Sequence, residues 1–387
     1  SHASLSSLFK MELYTVLDYE RLAKEKLDKD AWEYFNYGRE RKWCFQDSIE
    51  AFSRYRIRSR VLQDVSKRCL ATTVLGQSIP YPICISPTAF HFFAHPDGEK
   101  ATAKAAEAVG ALMVLSCGAR SSMEDIAMAA PGGLRWMNIY PFTDRQLTEY
   151  TIRKAEKLGF KALVVTVDSP VPGIHGAMEE LLGKDHVVNH SSYRMPVYEV
   201  DIPSARAAKQ ESNANHFQYV DEMTYNPKAT WEYIRWIKKV TSLPIVCKGI
   251  LTAESASDAA SAGVDGILVS AHGGRQLESS PAPIDALAEV VEAVHGRGVE
   301  VYMDGGVRTG TDIFKALGRG ARAVFLGRPI LWGLACQGPE GVTRILQILR
   351  DQLDAILALA GCISPNDIPP GTVVHESYYH MNRGISQ

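Results

Sequence analysis

The sequence predicts a (β/α)8 barrel, also called a TIM barrel, and three observations support this fold class. Eight short apolar runs rich in β-branched residues recur along the chain. The runs are nearly continuous in apolar residues, which is typical of parallel strands covered on both faces. Helical stretches separate most of them, and this alternation implies right-handed parallel crossovers. Eight such strands favour a closed barrel, although an open doubly wound sheet has the same alternation.

The chain before the barrel is predicted to be helical over residues 11–60. Asp18 is a candidate N-cap for a helix that runs through Leu27, and the helical pattern continues over Lys29–Tyr37. Gly38 is a natural stop, because glycine readily adopts the backbone conformation that ends a helix. We therefore expect a helical N-terminal segment that leads into the barrel.

The barrel is predicted over residues 80–335, and four of its helices end in the same way. In each, an Ala-rich helix closes on a glycine and a buried strand follows within a few residues. A glycine just past a helix end supplies the left-handed conformation that a short connection needs. These glycines are Gly110, Gly159, Gly263 and Gly320. The predicted strands are Pro82–Ser86, Ala111–Ser116, Leu134–Ile139, Ala162–Val167, Pro244–Lys248, Gly266–Ser270, Glu300–Asp304 and Ala323–Leu326.

A long loop after strand four interrupts the alternation. Between Pro170 and Trp231 the chain lacks strong periodicity and contains polar, loop-like stretches. Structureless loops of this length are often mobile lids. Its position after a barrel strand would place it over the catalytic face, whereas a surface insertion without function is the alternative interpretation.

The C-terminal part is predicted to form an amphipathic helix over residues 340–360, and Gly361 ends it. One face of this helix carries Ile345, Leu349, Leu353, Ile356, Leu357 and Ala360. Together with the helical N-terminal segment and the barrel, we expect it to belong to a single domain over residues 1–387.

Composition and charge exclude several classes of partner. The chain has 42 Lys and Arg and 44 Asp and Glu, a net charge of −2, so no overall field attracts nucleic acid or an anionic membrane. No apolar run is long enough for a transmembrane helix. The seven cysteines are widely spaced, without a Cys-x-x-Cys pair, which argues against disulfides and a metal site. We expect an intracellular protein, cytoplasmic or peroxisomal, although the C-terminus is not the Ser-Lys-Leu signal.

Polar residues and glycines follow the predicted strands at the end where barrel enzymes hold their catalytic residues. A helix cap is the ordinary explanation for any one serine or threonine, but the pattern over all eight ends indicates a site. The residues are Ser86, Pro87, Thr88 and Ala89 after strand one, Ser116 after strand two, Asn138 and Tyr140 after strand three, Thr166 and Asp168 after strand four, Lys248 after strand five, Ser270, His272 and Arg275 after strand six, Asp304, Gly305, Gly306 and Arg308 after strand seven, and Gly327 and Arg328 after strand eight.

The last two strand ends suit a phosphate group. The glycines of Asp304-Gly305-Gly306 let the backbone approach an anion, and Arg308 adds positive charge. Gly327-Arg328 lies where the second half of a barrel phosphate site belongs. Tight turns with a surface arginine would explain one such sequence. Two arginine–glycine sequences on adjacent strands favour a phosphate, which guanidinium groups bind well.

Four charged or titratable side chains are the candidates for catalysis. Lys248 would point into the barrel mouth, where it could form a Schiff base or face an electron-rich cofactor ring; an exposed lysine is the alternative. His272 is the candidate general base, with Asp168 to orient its imidazole. Arg275, three residues further on, suits a substrate carboxylate.

These motifs together resemble the FMN-dependent 2-hydroxy acid oxidase family, the group of glycolate oxidase, lactate oxidase and mandelate dehydrogenase. The resemblance runs from about Tyr19 to Ile368, and its strength lies in several long motifs in one order and spacing. The motifs are ISPTAF at 85–90, AHPDGE at 94–99, TVDSP at 166–170, LPIVCKGI at 243–250, SAHGGRQLE at 270–278, DGGVRTGTDIFKALGRGA at 304–321 and GRP at 327–329.

The resemblance implies FMN as cofactor and a role for each candidate residue. The FMN site would comprise Pro87, Thr88, Ala89, Ser116, Asn138, Thr166, Lys248, Ser270, Asp304, Gly305, Gly306, Arg308, Gly327 and Arg328. The catalytic residues would be His272, Asp168 and Lys248. Arg275 would bind the substrate carboxylate with help from Tyr34 and Tyr140, and His175 lies where a further substrate contact is expected.

The resemblance also implies an activity and an assembly. The enzyme would oxidise a 2-hydroxy acid to the 2-oxo acid, with oxygen as the acceptor and hydrogen peroxide as a product, and it would form a homotetramer. His272 would take either the hydroxyl proton, as a hydride leaves C2, or the C2 proton itself. A flavin barrel enzyme acting on a non-carboxylate or bulkier alcohol is an alternative, as is a flavin-binding protein that has lost catalysis.

Four positions depart from the family pattern. Ser270-Ala271-His272 stands where the family has Ser-Asn-His, Asn138 replaces a glutamine, and Gly118 replaces a bulky aromatic residue. The family's second arginine after TVDSP is missing, because residues 173–176 are Gly-Ile-His-Gly. Losing one charged hydrogen bond to a carboxylate weakens binding by about 1.5–3 kcal/mol, and His175 could compensate only when protonated. We therefore expect an intact flavin site and a remodelled substrate site that takes a different or bulkier substrate.

Overall fold

The computed structural model describes residues 13–173, 195–198, 200–203 and 216–381. Its centre is a closed barrel of eight parallel strands, in which each strand lies beside the next along the chain. The strands are β1 (Tyr55–Ile57), β2 (Thr72–Val74), β3 (Gln77–Ile79), β4 (Ile83–Ile85), β5 (Met113–Leu115), β6 (Arg135–Ile139), β7 (Leu163–Thr166), β8 (Ile245–Ile250), β9 (Gly266–Val269), β10 (Glu300–Asp304), β11 (Val324–Leu326) and β12 (Val373–His375).

Strands β4 to β11 form the barrel, and all eight coincide with predicted strands. The last pairs with the first, since Val324–Leu326 lies opposite Ile83–Ile85 in parallel register. This pairing confirms the closed barrel over the open sheet. The four glycines predicted to end helices all have positive φ, from 70° at Gly110 to 106° at Gly320.

Helices surround the barrel and precede it. They are α1 (Val16–Lys26), α2 (Lys29–Phe35), α3 (Trp43–Glu50), α4 (Gly98–Val109), α5 (Met123–Ala129), α6 (Arg145–Lys157), α7 (His216–Thr224), α8 (Trp231–Val240), α9 (Ala253–Ser261), α10 (Pro283–Ala293), α11 (Gly310–Gly318), α12 (Arg328–Ala360) and α13 (Ser377–Met381). Buried side chains of α4, α10, α11 and α12 pack in the main core around the barrel.

The N-terminal segment differs from its prediction in two places. Thr15 is the N-cap of α1, and Asp18 is the third helical residue, whose carboxylate accepts the Thr15 N–H in a capping box. Asp18 as N-cap was therefore wrong by three residues. The helical segment ends earlier than residue 60, because Tyr55–Ile57 forms a strand that pairs with Val373–His375 near the end of the chain.

Aromatic side chains fill the barrel interior above its amino end. The rings of Trp136, Tyr302 and Phe325 lie 5.5–5.9 Å apart between centroids. The β2–β3 hairpin, which was not predicted, covers this end, and its Gln77 accepts a hydrogen bond from Trp136 Nε1 at 3.0 Å. The packed floor leaves the opposite, carboxyl end of the strands free for a cavity.

The long segment after β7 and the C-terminal helix agree with their predictions in part. Within the long segment after β7, residues 216–224 form a helix where no element was predicted. The C-terminal helix extends further back than residue 340, since α12 begins at Arg328 and is interrupted at Gln337-Gly338, just before Pro339. The predicted apolar face of this helix is buried, with Ile356 half-buried, and Gly361 ends it at a φ of 77°.

Candidate active site

A cavity of about 660 Å³ opens at the carboxyl ends of the barrel strands. It brings together 17 of the 20 predicted site residues. These are Tyr34, Pro87, Thr88, Ala89, Ser116, Asn138, Tyr140, Thr166, Lys248, His272, Arg275, Asp304, Gly305, Gly306, Arg308, Gly327 and Arg328. Asp168 and Ser270 lie behind the cavity wall, and His175 lies outside the described residues.

His272 and Asp168 form a hydrogen-bonded pair at the cavity wall. His272 Nδ1 lies 2.9 Å from Asp168 Oδ1, and the Ser169 hydroxyl donates to the same carboxylate oxygen at 2.9 Å. Burial alone would raise the pKa of Asp168, but the charges and hydrogen bonds of its neighbours, His272 first among them, lower it below the ordinary value. An ionised Asp168 accepts the Nδ1 proton, which leaves Nε2 of a neutral His272 as a proton acceptor.

The backbone around this pair requires particular residues. His272 has a φ of 53°, in the left-handed region, and its N–H donates to Ser270 Oγ at 3.0 Å. Ser270 thus supports the turn from behind rather than lining the cavity. Gly249 was not singled out from the sequence. A Cβ at that position would lie 2.5 Å from the Asp168 Cβ and Cγ atoms, so glycine there makes room for the carboxylate.

Lys248 and Asn138 project from the barrel strands at the base of the cavity. Lys248 is 3% exposed on β8, and its charge contributes to the lowered pKa of Asp168. Asn138 on β6 donates to Thr166 Oγ1 and to the Val164 carbonyl, both at 2.9 Å. A buried lysine beside a carboxylate suits a site that holds a polar, electron-rich group.

The N-terminal helices close one side of the cavity through two arginines. Arg275 donates from Nη2 to the carbonyls of Tyr34 and Phe35, at 2.6 and 3.2 Å. Arg328 donates to the carbonyls of Phe35 and Tyr37, at 2.7 and 2.8 Å. Both guanidinium groups therefore bind the carboxyl end of α2, which carries partial negative charge. The guanidinium carbon of Arg275 also lies 4.8 Å from the centre of the Tyr34 ring.

Arg308 completes an arginine cluster with Arg275 and Arg328. Its Nε lies 3.9 Å from the Glu20 carboxylate, and its guanidinium stacks 4.7 Å from the Trp332 ring centre. Burial lowers the pKa of Arg328 well below its usual value, and repulsion from the other two arginines lowers it further. Three cations with so little compensating charge favour an anion in the cavity.

Gly305 and Gly306 have a packing role beside their place in the cavity wall. Both have positive φ, 95° and 77°. A Cβ at Gly306 would lie 1.8 Å from the Ser48 carbonyl oxygen, so this glycine lets α3 pack against the strand end. At Gly327, by contrast, a Cβ would meet Thr88 Cγ2 at 3.5 Å, an ordinary contact.

The segment after β7 supplies residues that the sequence did not single out. Met195, Tyr198, Val220 and Tyr225 line the cavity. The Tyr225 ring lies 5.9 Å from that of Tyr140, and burial raises the pKa of both phenols. The described part of the segment thus contributes to the cavity wall. Scattered apolar residues between polar stretches were the signal in the sequence.

The family follows from comparison with known proteins. The sequence profile of FMN-dependent dehydrogenases matches residues 23–375. The chain belongs to the FMN-dependent dehydrogenase family. This confirms the family and the cofactor predicted from the motifs, and the fold agrees with it.

Relatives and solved structures cover nearly all of this FMN-dependent dehydrogenase. The 2-hydroxyacid oxidase 1 of Homo sapiens is 43% identical over 350 residues, 90% of this chain and 93% of the relative. Glycolate oxidase 1 of Zea mays is 42% identical over 367 residues, 95% of this chain and 97% of the relative. A soluble mutant of the membrane-associated (S)-mandelate dehydrogenase from Pseudomonas putida has a TM-score of 0.84 at 31% identity, covering 94% of this chain and all of that one.

The residues of this FMN-dependent dehydrogenase fit the cofactor. Asp304 is buried; its Oδ2 accepts the Ser86 hydroxyl at 2.6 Å, and its Oδ1 has no hydrogen-bond partner among the described residues. A buried acceptor without a donor suits the hydroxyl groups of a ribityl chain. The adjacent Arg308 and Arg328 suit a phosphate that carries two negative charges. In the described part of the chain no group of three or more potential ligands could hold a metal ion, and no helix is both long and apolar enough to cross a membrane.

Proposed function

We propose that the protein oxidises a 2-hydroxy acid to the 2-oxo acid and that dioxygen takes up the two electrons and two protons as hydrogen peroxide. The observation that carries this proposal is the His272–Asp168 pair, 2.9 Å apart, at the wall of the cavity that also holds the arginine cluster. The reaction needs a base, a cation that binds the substrate carboxylate and a site for the phosphate of FMN, and one cavity offers candidates for all three. The activity of the oxidase relatives is consistent with it.

His272 would act as the base through Nε2. Asp168 fixes the tautomer by accepting from Nδ1, and it stabilises the imidazolium that forms once Nε2 has taken a proton. That proton comes from the hydroxyl, with the C2 hydrogen leaving as hydride, or from C2 itself. The Gln276 side chain donates to Ser169 Oγ at 2.6 Å, and the Ser169 hydroxyl in turn donates to Asp168. This chain of hydrogen bonds holds Asp168, and through it His272, in position.

Arg275 would bind the substrate carboxylate. Its hydrogen bonds to the carbonyls of Tyr34 and Phe35 both use Nη2, so other guanidinium N–H groups can face a carboxylate. Tyr34 and Tyr140 would assist with their hydroxyl groups at the same side of the cavity.

When bound, FMN supplies the acceptor for the two electrons that leave C2 of the substrate. Asp304, Arg308 and Arg328 would hold its ribityl chain and phosphate, and the loop of Pro87, Thr88 and Ala89 would lie along its ring. Lys248 would place a positive charge within the cavity. Ser116, Asn138, Thr166 and the glycines at 305, 306 and 327 complete the wall of this part of the site.

We further propose that the substrate carries an apolar group larger than a methyl. Gly118 lines the cavity and offers no side chain, while Met195, Val220 and Tyr225 give the wall an apolar and aromatic character. The missing second arginine points the same way, because it relaxes the demand for a small anion. A non-carboxylate or bulkier alcohol is the second candidate substrate for this reason. In the sequence, His175 belongs to the stretch that replaces the second arginine.

Anaerobic mixing with a panel of 2-hydroxy acids tests the proposal. We expect bleaching of the flavin absorbance by acids with apolar side chains, and peroxide release in air. Replacing His272 by Ala should slow bleaching roughly 10²- to 10⁴-fold, the usual worth of a general base, with FMN still bound. The matched control is His295→Ala, at an exposed histidine on the surface.

Two outcomes would contradict the proposal. If no 2-hydroxy acid at millimolar level bleached the wild-type flavin, oxidation of this class would be wrong, and an alcohol without a carboxylate would be tested next. If His272→Ala bleached as fast as the wild type, the base would be another residue.

We also propose an assembly, which the family resemblance implies, and a location in the cell. The protein would be a homotetramer, which light scattering measures directly. It would be intracellular, cytoplasmic or peroxisomal, which the wide spacing of its seven cysteines favours.

A further inference from the structure

A buried histidine outside the proposed reaction lies directly behind the cavity wall. His91 is 1% exposed and begins the short helical turn His91–Phe93 after the loop that carries Pro87, Thr88 and Ala89. Histidine is the one side chain whose ordinary pKa lies near neutral pH, and burying it without partners is unfavourable. Its contacts therefore indicate what it does.

Both ring nitrogens of His91 bind a threonine hydroxyl. Nε2 lies 2.5 Å from Thr88 Oγ1, and Nδ1 lies 2.9 Å from Thr102 Oγ1. Thr102 is fully buried on α4, whereas Thr88 is half-buried and lines the cavity. The imidazole thus connects a helix of the barrel scaffold to a hydroxyl group at the cofactor site.

The turn that carries His91 is fixed by Glu99. Its carboxylate accepts the His91 N–H at 3.3 Å through one oxygen, and the Ser121 N–H and hydroxyl at 3.3 and 3.0 Å through the other. Phe90, just before the turn, has a φ of 64°, in the left-handed region. A turn held at several points keeps the imidazole in place.

The Thr102–His91–Thr88 chain of hydrogen bonds can run in only two directions, because a neutral imidazole carries a single N–H donor. Burial lowers the pKa of His91, while Glu99 and a backbone hydrogen bond at Thr88 counteract part of the shift. The lowered pKa favours the neutral ring, which has one donor and one acceptor nitrogen. If Thr102 donates to Nδ1, then Nε2–H donates to Thr88 Oγ1, and the Thr88 proton remains for an acceptor in the cavity. In the reverse direction the Thr88 hydroxyl donates to Nε2 of the ring, and its proton is not available to an acceptor in the cavity.

We propose that His91 is a positioning residue that fixes the Thr88 hydroxyl as a hydrogen-bond donor to an acceptor atom of bound FMN. The direction of donation is Thr102 to His91 to Thr88 to the cofactor. Thr88 is the member of the chain that reaches the cavity, and the isoalloxazine and phosphate portions of FMN are rich in acceptors. The inference depends on FMN binding and not on the proposed substrate, so FMN titration tests it even if no 2-hydroxy acid is oxidised.

The test is FMN titration of the apoprotein, followed by flavin fluorescence, together with the visible spectrum of the bound cofactor. We expect His91→Leu to weaken FMN binding roughly two- to twelvefold, the worth of one hydrogen bond, and to shift the visible absorption maximum. Thr88→Val should do the same, because it removes the donor itself. Thr102→Val, at a fully buried residue that does not line the cavity, should shift both measurements in the same direction.

Conservative variants separate positioning from mere packing. His91→Gln keeps one acceptor and one donor, so it should restore FMN affinity to within about twofold of the wild type. Thr88→Ser keeps the hydroxyl and should also bind normally. The surface control His295→Leu should leave affinity and spectrum unchanged.

A double-mutant cycle completes the test. If His91 acts through Thr88, adding His91→Leu to Thr88→Val causes little further loss of affinity. Equal losses in both backgrounds would overturn the proposal, and so would wild-type binding by His91→Leu. Normal binding by Thr102→Val would overturn the direction of donation. Should His91→Leu fail to fold, the Gln, Thr88 and Thr102 variants decide the matter without it.

Discussion

Gly249 illustrates how a residue without a side chain can determine catalytic geometry. It follows Lys248 with a φ of 109°, and a Cβ there would lie 2.5 Å from the Asp168 Cβ and Cγ atoms. We predict that Gly249→Ala displaces Asp168 and lowers kcat/KM about a hundredfold, as displacements near 1 Å can do. Steady-state peroxide assays measure the effect.

The control for this substitution is Gly263→Ala. Gly263 also has a positive φ, 89°, but a Cβ there would meet nothing within 4 Å. Its alanine variant should lose about 1 kcal/mol of stability from backbone strain and keep full activity. Equal loss of activity in both variants would mean that strain, and not displacement of Asp168, is the cause.

Asp168 predicts a pH dependence of stability. Its pKa in the folded protein is lowered from the ordinary 3.8, against the effect of burial, by His272 and the neighbouring charges and hydrogen bonds. The stabilisation is therefore fully present above pH 3.8 and is lost as the pH falls through the lowered value. Urea unfolding of wild type and Asp168→Asn should give a constant difference near pH 5–6 that shrinks below pH 4.

A companion variant identifies the source of that dependence. Ser169→Ala removes one hydrogen bond to Asp168 but keeps the carboxylate and His272. The stability of this variant should still fall in acid by nearly as much as that of the wild type. A difference between wild type and Asp168→Asn that stayed flat down to pH 3 would be incompatible with a stabilising interaction of the ionised Asp168.

At the scale of elements, the β2–β3 hairpin closes the amino end of the barrel. Gln77 of β3 accepts the indole N–H of the fully buried Trp136 at 3.0 Å. We predict that Gln77→Leu leaves this donor unsatisfied and lowers the free energy of unfolding by about 1–3 kcal/mol, with unchanged KM. Chemical denaturation and steady-state kinetics measure the two effects.

The matched substitution for the hairpin is Ser78→Leu. Ser78 is the exposed neighbour on the same strand, so the same apolar side chain is added without touching Trp136. This variant should unfold at the wild-type denaturant concentration. If both leucine variants were equally destabilised, the loss would come from the strand surface and not from the buried N–H.

The elements differ in how far the sequence determines them. Barrel strands such as Leu163–Thr166 are buried at every residue, so a continuous apolar run was sufficient to predict them. The β2–β3 hairpin and the β1–β12 pair were not predicted, because strands of three residues carry too little pattern. The N-cap of α1 was misplaced because Thr15 and Asp18 are both good caps, and only the capping-box geometry distinguishes them.

Site residues that follow the barrel strands could be predicted from the sequence. Contacts between the barrel and the other parts of the fold could not. The polar residues at the strand ends share one edge of a parallel barrel, so their proximity follows from topology. The hydrogen bonds of Arg275 and Arg328 to the carboxyl end of α2 depend on how the N-terminal helices pack. Tyr225 joins the cavity from a segment without periodicity, and His91 acts behind the wall.

At the scale of the whole molecule, the barrel and the N-terminal helices meet at the arginine cluster. Arg275 and Arg328 bind carbonyls at the end of α2, and Glu20 of α1 lies 3.9 Å from Arg308. Mutual repulsion of the three guanidinium groups opposes this packing, and a bound dianion would relieve it. Occupancy of the phosphate site should therefore stabilise the entire fold.

We predict that FMN raises the thermal unfolding midpoint of the apoprotein far more than riboflavin, which lacks the phosphate. A ligand that binds only the folded state at a hundredfold excess over its Kd contributes about 2.7 kcal/mol. Inorganic phosphate alone should give a small rise, and added salt should narrow the gap between FMN and riboflavin because it screens the cluster. Scanning fluorimetry with the three ligands at matched concentration measures this. Riboflavin as effective as FMN would show that the ring site, and not the arginine cluster, couples cofactor binding to the stability of the fold.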